Sequence, residues 1–170
     1  TLSEPELPFS VLYVFGPGGI GKTTLLREYS YIAHELGVQS ARLDGRHIEA
    51  APDFFLAALG QALALPPDAD VVGHLADRRE RLLLLVDTYE LLTPIDGWLR
   101  EQFLPALPVT VLVVLDGRQP PTAPWRTDAG WQTMMRILPL RNLAPADSRV
   151  FLEGRSVPAA QIVPQANQGR

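Results

Sequence analysis

The sequence has no cysteine, no excess of positive charge and no long hydrophobic run. The absence of cysteine among its 170 residues excludes disulfide bonds, cysteine-ligated zinc and a cysteine nucleophile. Because 15 Lys and Arg stand against 19 Asp and Glu, a net charge of −4, we expect no direct nucleic-acid binding by this domain. The longest apolar run is about six residues, against the roughly 20 of a membrane helix. Residues 1–6 lack the features of a signal peptide, so we expect a cytoplasmic protein with no membrane partner.

The remaining composition is that of an ordinary globular domain. Hydrophobic residues make up 46% of the chain and charged residues 20%, which is too apolar for a disordered protein. A chain of this length corresponds to one domain, and we assign residues 1–170 to it. Short apolar runs alternate with amphipathic stretches, which predicts the α/β class: a mostly parallel five-stranded sheet flanked by helices in three layers.

The apolar runs mark the predicted strands. They cover residues 10–15, 38–43, 82–86, 109–115 and 136–140, and Pro139 predicts that the last strand lies at an edge of the sheet. Helical spacing predicts helices over residues 21–36, 52–63, 71–81 and 96–103, and two short ones over residues 145–154 and 158–167. The three prolines of residues 119–124 predict a loop.

The strongest motif lies between the first strand and the first helix. Residues 16–23 read GPGGIGKT, a complete match to the phosphate-binding pattern G-x-x-x-x-G-K-[ST] in its required context of strand, loop and helix. Glycines let backbone N–H groups curl around a polyphosphate, and the helix presents the positive end of its dipole. We therefore expect ATP or ADP to contact the whole segment, namely Gly16, Pro17, Gly18, Gly19, Ile20, Gly21, Lys22, Thr23 and Thr24.

Individual residues of this loop have predicted roles. Lys22 supplies a full positive charge near the β- and γ-phosphates, and Thr23 offers a hydroxyl ligand to Mg²⁺, a hard cation that prefers oxygen. Pro17 stiffens the loop. Thr24 either assists at the α-phosphate or is a plain first-turn residue.

A P-loop also requires a carboxylate near the metal, at the end of another parallel strand. Asp87 follows an apolar run, which places it at the carboxyl edge of the sheet, and we interpret it as the Walker B acid that holds Mg²⁺ through its water shell. Asp116 competes for this role because it follows another strand equally well. We favour Asp87 because Glu90 lies close to it in sequence.

Two further side chains are candidates for catalysis. Glu90 either orients the attacking water as a base or is a capping or surface acid. Arg118 follows the fourth strand, where it either reaches the γ-phosphate or is an exposed loop arginine. Arg42, Arg46 and Arg141 are also available to line the site, and the sequence does not rank them.

Together these features resemble the STAND class of P-loop ATPases, the signal-transduction ATPases with many domains. Its members include the apoptotic-type and NACHT-type ATPases and the maltose-activator type of bacterial regulator. The matching segments are the phosphate loop, the strand that leads into Asp87-Thr88-Tyr89-Glu90, the strand that leads to Arg118, and residues 137–143 with the acidic segment 144–147 after them.

The resemblance implies a nucleotide switch, in which ADP holds a closed form and ATP exchange opens it for self-association. It implies Mg²⁺ as cofactor and an NTPase core cut from a longer protein, because residues 166–170 end where the family continues into a Gly-x-Pro motif and further domains of the same chain. Arg118 matches the family's sensor position. Thr88 stands where many relatives carry a second acid, which implies slow hydrolysis.

Two other functions remain open at this point. A small-molecule kinase uses the same loop for phosphoryl transfer, although residues 119–124 are rich in proline where such kinases usually carry an arginine-rich lid. A nucleotide-binding interaction module without catalysis is the other. The sequence lacks the guanine-reading motif N-K-x-D, which favours adenine.

Overall fold

A computed structural model describes residues 9–141 of the chain. The helices predicted over residues 145–154 and 158–167 lie outside the described residues, as do the acidic segment 144–147 and the last residues, 166–170. The first compact unit of the chain ends at Leu140, and the elements described below belong to it.

Five strands form one sheet in the spatial order β2-β3-β4-β1-β5. Every neighbouring pair runs parallel, so the predicted α/β class with a five-stranded sheet is confirmed. The strands are β1 (Val11–Phe15), β2 (Gln39–Asp44), β3 (Leu82–Asp87), β4 (Val111–Gly117) and β5 (Met135–Pro139). As predicted from Pro139, β5 lies at an edge.

The two most apolar strands lie at the centre of the sheet. Every residue of β3 and of β4 is buried, because helices cover both faces of a parallel sheet. The edge strand β2 alternates instead: Ala41 and Leu43 are buried, whereas Arg42 and Asp44 are half-buried. This alternation brings two charged side chains of β2 beside the carboxyl end of β3.

Helices cover both faces of the sheet and give the predicted three layers. On one face, Leu26 and Ala33 of the first helix pack against alternate residues of β1, β3 and β4. A larger apolar cluster covers the other face. The α-helices are α1 (Lys22–Glu35), α2 (Pro52–Ala62), α3 (Val71–Ala76), α4 (Asp96–Trp98), α5 (Ala123–Thr127) and α6 (Ala129–Met134).

Short helical turns extend several of these elements. A 3-10 turn (Gly45–His47) follows β2. A run of turns follows β3, in which a 3-10 segment (Tyr89–Ile95) precedes α4, and a π-helical segment (Leu99–Phe103) and a 3-10 turn (Leu104–Ala106) come after it. Within residues 9–141, none of the helices is both long enough and apolar enough to cross a membrane.

Several predicted boundaries were wrong. Helix α2 ends at Ala62, one residue before its predicted end, and Ala64 just after it adopts a left-handed backbone with a φ of 57°. The helix predicted over residues 71–81 ends at Ala76. Helix α5 begins inside the predicted proline-rich loop because Pro124 occupies its first turn, where the missing N–H costs no hydrogen bond.

Candidate functional site

The phosphate loop lies between β1 and α1 and ends in a left-handed glycine. Gly19 and Gly21 have φ values of 77° and 98°, a region that glycine enters without steric cost. Gly21 is the N-cap of α1, and its carbonyl accepts the N–H of Leu25 at 2.9 Å. The loop therefore delivers the chain directly into the helix, whose first turn carries no acidic residue.

Lys22 lies against its own loop. Its Nζ donates to the carbonyl oxygens of Gly16 at 2.9 Å and of Pro17 at 3.1 Å. These bonds hold the ammonium group at the rim of the loop. A phosphate that takes the place of either carbonyl acquires a charge-assisted hydrogen bond.

Gly16 has a structural role that the sequence motif did not specify. A Cβ at this position would lie 2.7 Å from the carbonyl oxygen of Leu140. The N–H of Gly16 donates to Gly117 at 3.2 Å, and the N–H of Leu140 donates to Phe15 at 2.7 Å. A residue without a side chain is therefore required where the ends of β1, β4 and β5 meet.

Asp87 lies at the end of β3, where the sequence predicted it, and its side chain contacts Thr23 of the phosphate loop. Its Oδ2 accepts from Thr23 Oγ1 at 3.3 Å and from Arg42 Nη2 at 2.6 Å. Its Oδ1 accepts from Thr88 Oγ1 at 3.2 Å. The structure thus joins the two predicted metal ligands, Thr23 and Asp87, through a direct hydrogen bond.

Thr88 adopts a strained backbone immediately after this acid. Its φ of 57° lies in the left-handed region, which a β-branched residue rarely enters. Such strain persists only where the surrounding structure enforces it, and it concentrates at functional sites. Nothing in the local sequence pattern indicated it.

Asp116 lies beside Asp87 at the end of β4. Only 1% of its surface is exposed. The pKa of Asp116 is raised from its ordinary value to about 7, and burial is the largest cause. The positive charge of Lys22 lowers this pKa, whereas the charge of Asp87 and a hydrogen bond to Asp87 raise it. A protonated Asp116 can donate to Asp87, so the two acids that compete for the metal role in the sequence are coupled neighbours in the fold.

Glu90 and Arg118 form an ion pair. Arg118 Nε lies 3.1 Å from Glu90 Oε1. The other carboxylate oxygen, Glu90 Oε2, is buried and has no hydrogen-bond partner among the described residues. The same holds for Asp116 Oδ1, and a buried acceptor without a partner is costly unless a ligand or water satisfies it.

A buried aspartate supports this side of the site, and sequence reasoning missed it. Asp96 Oδ1 accepts from Tyr89 Oη at 2.6 Å and from Trp125 Nε1 at 2.7 Å, and its Oδ2 accepts from Thr122 Oγ1 at 3.4 Å. The network ties the segment that carries Glu90 to the chain that follows β4. Thr122 and Trp125 lie 26 and 29 residues from Asp96, so no local motif could have revealed the network.

These side chains surround a cavity of about 180 Å³ at the carboxyl edge of the sheet. It is lined by Gly18, Gly19, Lys22, Thr23, Arg46, Asp87, Thr88, Glu90, Asp116 and Arg118. The other predicted loop residues lie outside this lining: Gly16 and Pro17 accept from Lys22, Gly21 caps α1, Ile20 is half-buried, and Thr24 is exposed in the first turn of α1. The sequence did not single out Arg46.

The cavity wall suits a magnesium ion held together with phosphates. Carboxylate and hydroxyl oxygens are the donors that Mg²⁺ prefers, and the buried oxygens of Glu90 and Asp116 without partners suit metal-bound water. The described residues contain no group of three or more His, Cys, Asp or Glu that could hold a metal by themselves. Mg²⁺ is commonly bound by one or two carboxylates plus substrate phosphates, so Thr23 and Asp87 fit this ion only in company with a nucleotide.

Comparison with known proteins finds similarity of fold alone. No protein-family model matches the chain, and no curated protein does. Among solved structures, Drosophila ORC bound to DNA superposes with a TM-score of 0.68 and 23% identity, covering 91% of this chain and 42% of that one. Cdc6p from Pyrobaculum aerophilum gives 0.63 and 16%, covering 91% and 45%. The ADP form of Aeropyrum pernix ORC2 gives 0.60 and 16%, covering 87% and 46%.

These likenesses show the fold alone, a five-stranded parallel sheet flanked by helices that matches the P-loop NTPase fold. The chain spans less than half the length of each of these three structures.

The structural likenesses also correct one expectation: the exclusion of nucleic acid as a partner was wrong, because a structure with this fold is described as bound to DNA. The overall charge of −4 does not report the local charge of a surface. The three structures are ORC and Cdc6 proteins rather than STAND-class ATPases.

Proposed function

We propose that this chain binds ATP or ADP with Mg²⁺ and acts as a slowly hydrolysing nucleotide switch within a larger regulatory protein. One observation carries the proposal: the hydroxyl of Thr23, the last residue of the phosphate loop, lies 3.3 Å from the carboxylate of Asp87 across the cavity. A glycine loop alone explains neither this pairing nor the lysine beside it.

The residues of the chain divide the binding work. Gly18 and Gly19 offer backbone N–H groups, and Lys22 exchanges its bonds to loop carbonyls for bonds to phosphate oxygens. Thr23 and Asp87 would hold Mg²⁺, directly and through water. The ion, when bound, neutralises charge that develops on the phosphates. The ADP form of one structure with this fold supports an adenine nucleotide.

Hydrolysis requires a group that orients water toward the terminal phosphate. Glu90 lines the cavity and has one buried oxygen without a partner among the described residues, while its other oxygen is paired with Arg118. The pairing supports slow turnover, because the positive charge of Arg118 beside the carboxylate opposes the transfer of a proton from water to Glu90. Thr88 supplies no second acid.

Binding is tested by titrating fluorescent ATP, ADP and GTP analogues against the 170-residue chain with and without Mg²⁺. We expect adenine nucleotides to bind, and Lys22→Ala to weaken binding by at least about 100-fold, since it removes a charge-assisted contact in the loop. Arg79→Ala, an exposed arginine outside the cavity, is the matched control. Nucleotide affinity that survives in Lys22→Ala would contradict the proposal.

Phosphate release measured with and without candidate acceptors separates hydrolysis from kinase activity. We expect slow release that acceptors do not accelerate. Glu90→Gln is expected to retain ATP binding and to lose turnover, because it preserves shape and removes the basic oxygen. Unchanged turnover would remove Glu90 from the role of base.

A further inference from the structure

We propose that Arg46 contacts the terminal phosphate of a bound triphosphate and makes the site favour triphosphate over diphosphate. The inference deepens the proposed function and rests on it. Arg46 lines the same cavity as Lys22 and Thr23. It belongs to the turn after β2, a part of the chain that the phosphate-loop motif does not include.

The order of the strands gives Arg46 its position. β3 lies between β2 and β4, so the turn after β2 and the turn after β4 flank the end of β3. Arg46 comes from the first of these turns and Arg118 from the second, and both line the cavity with Asp87. The guanidinium groups of Arg46 and Arg118 therefore flank the predicted metal ligand Asp87, because they follow the two strands that neighbour β3.

A close backbone approach fixes the turn in place. A Cβ at Gly45 would lie 2.5 Å from the carbonyl oxygen of Thr88. Any residue other than glycine would therefore clash with this backbone. Gly45 is buried. The turn therefore packs closely against the residue that follows Asp87, and this packing positions the backbone from which Arg46 extends.

Asp44 then orients the guanidinium. Its Oδ1 accepts from the backbone N–H and from Nε of Arg46, both at 3.0 Å, and its Oδ2 accepts from Nη2 at 2.6 Å. Hydrogen bonding to Arg46 lowers the pKa of Asp44, so the carboxylate stays charged at neutral pH. A side chain held in this way loses little conformational entropy when it binds a phosphate.

One edge of the guanidinium remains available. The Arg46 side chain is 60% exposed, and its Nη1 makes no hydrogen bond among the described residues. Lys22 and Arg118 are likewise anchored, Lys22 to its own loop and Arg118 Nε to Glu90. An arginine with two donors anchored and one group free is suited to an oxygen-rich anion.

The cationic side chains of the cavity, rather than its net charge, support a phosphate ligand. Three cationic side chains, Lys22, Arg46 and Arg118, and three acids, Asp87, Glu90 and Asp116, line it. A triphosphate carries one phosphate group more than a diphosphate, and a cation additional to the loop lysine favours the more highly charged ligand. Discrimination between the two nucleotides is therefore the property that Arg46 is placed to control.

The test compares ATP and ADP affinities of the 170-residue chain, measured by equilibrium titration of fluorescent analogues with Mg²⁺. The variants are Arg46→Ala and Arg46→Met, which keeps the aliphatic stem, with Arg79→Ala as the exposed control. We expect both Arg46 variants to weaken ATP binding roughly 10–100-fold, the effect of one charge-assisted hydrogen bond, and ADP binding by less than about threefold. Arg79→Ala should change neither.

The outcomes separate this inference from the proposed function. An ATP-to-ADP affinity ratio in Arg46→Met equal to that of the wild-type chain overturns the role of Arg46 and leaves the nucleotide site intact. Equal losses for both nucleotides assign Arg46 a structural role and overturn the inference as well. A wild-type chain that binds no nucleotide overturns the proposed function and this inference with it.

Discussion

Arg42 Nη2 lies 2.6 Å from Asp87 Oδ2 and joins the edge strand β2 to the predicted Walker B acid. The Asp87 side chain is 5% exposed and that of Arg42 is 32% exposed, so solvent screens this ion pair only in part. The same oxygen accepts from Thr23. A divalent cation that approaches Asp87 therefore meets a carboxylate that already has a cationic partner.

The first prediction is that Arg42 weakens Mg²⁺ binding. Arg42→Met removes a positive charge beside the carboxylate, and we expect half-saturation at a Mg²⁺ concentration about 5–30-fold lower than in the wild-type chain, since Coulomb repulsion at this range is worth on the order of 1–2 kcal/mol. The measurement is a Mg²⁺ titration of the chain with fluorescent nucleotide. Arg42→Lys keeps the charge and serves as the control. Tighter binding in both variants, or in neither, would show that charge is not the cause.

The second prediction uses a property of the whole sequence, in which Lys22 is the only lysine. An amine-acylating reagent should modify Lys22 and the N-terminal amine, and ATP with Mg²⁺ should suppress the first reaction alone, because phosphate oxygens engage Nζ. Peptide mass spectrometry measures both yields, and the N-terminal amine is an internal control. Equal protection of the two amines, or of neither, would contradict a phosphate contact at Lys22.

The parts of the site that the sequence predicted are those with local signals. The loop of residues 16–23 combines a fixed motif with a preceding apolar strand and a following helix, and all three occur where the pattern placed them. β3 and β4 are continuous apolar runs, as central parallel strands are. Asp87 was identifiable because it ends such a run.

The parts that the sequence did not predict depend on contacts between distant segments. The position of Arg46 requires β2 to neighbour β3 and Gly45 to pack on Thr88. The run of short turns from Tyr89 onward has Pro94 inside it, which obscures helical spacing. No sequence pattern specifies such pairings, so Arg46 could be named as available but not ranked above Arg42.

The third prediction concerns the coupled acid Asp116. Its pKa in the folded protein is raised from 3.8 to about 7, so the folded state binds a proton that the unfolded state releases. The free energy of unfolding should therefore fall as pH rises from about 4 to 7, by roughly 2–4 kcal/mol relative to an Asp116→Asn variant, whose amide does not titrate.

Chemical denaturation between pH 4 and 8 in EDTA measures this difference, because the chelator removes divalent cations that would stabilise the carboxylate. Subtraction of the two pH profiles cancels the contribution of every group that does not interact with Asp116. Parallel profiles for the wild-type chain and Asp116→Asn would mean that Asp116 has an ordinary pKa in the folded protein.

The last prediction is that Asp96 supports the site through its buried network. Asp96→Ala leaves the Tyr89 hydroxyl and the Trp125 indole N–H without their acceptor, and we expect unfolding to become easier by about 2–4 kcal/mol. Trp125 is fully buried, so its fluorescence should shift to longer wavelength if water reaches the indole. Asp68→Ala, an exposed aspartate, should change the free energy of unfolding by less than about 0.5 kcal/mol.

Because the network ties the Glu90 segment to the chain after β4, Asp96→Ala should slow phosphate release more than it weakens ADP binding. Equal losses in both would show that Asp96 stabilises the fold as a whole and has no selective effect on this side of the site.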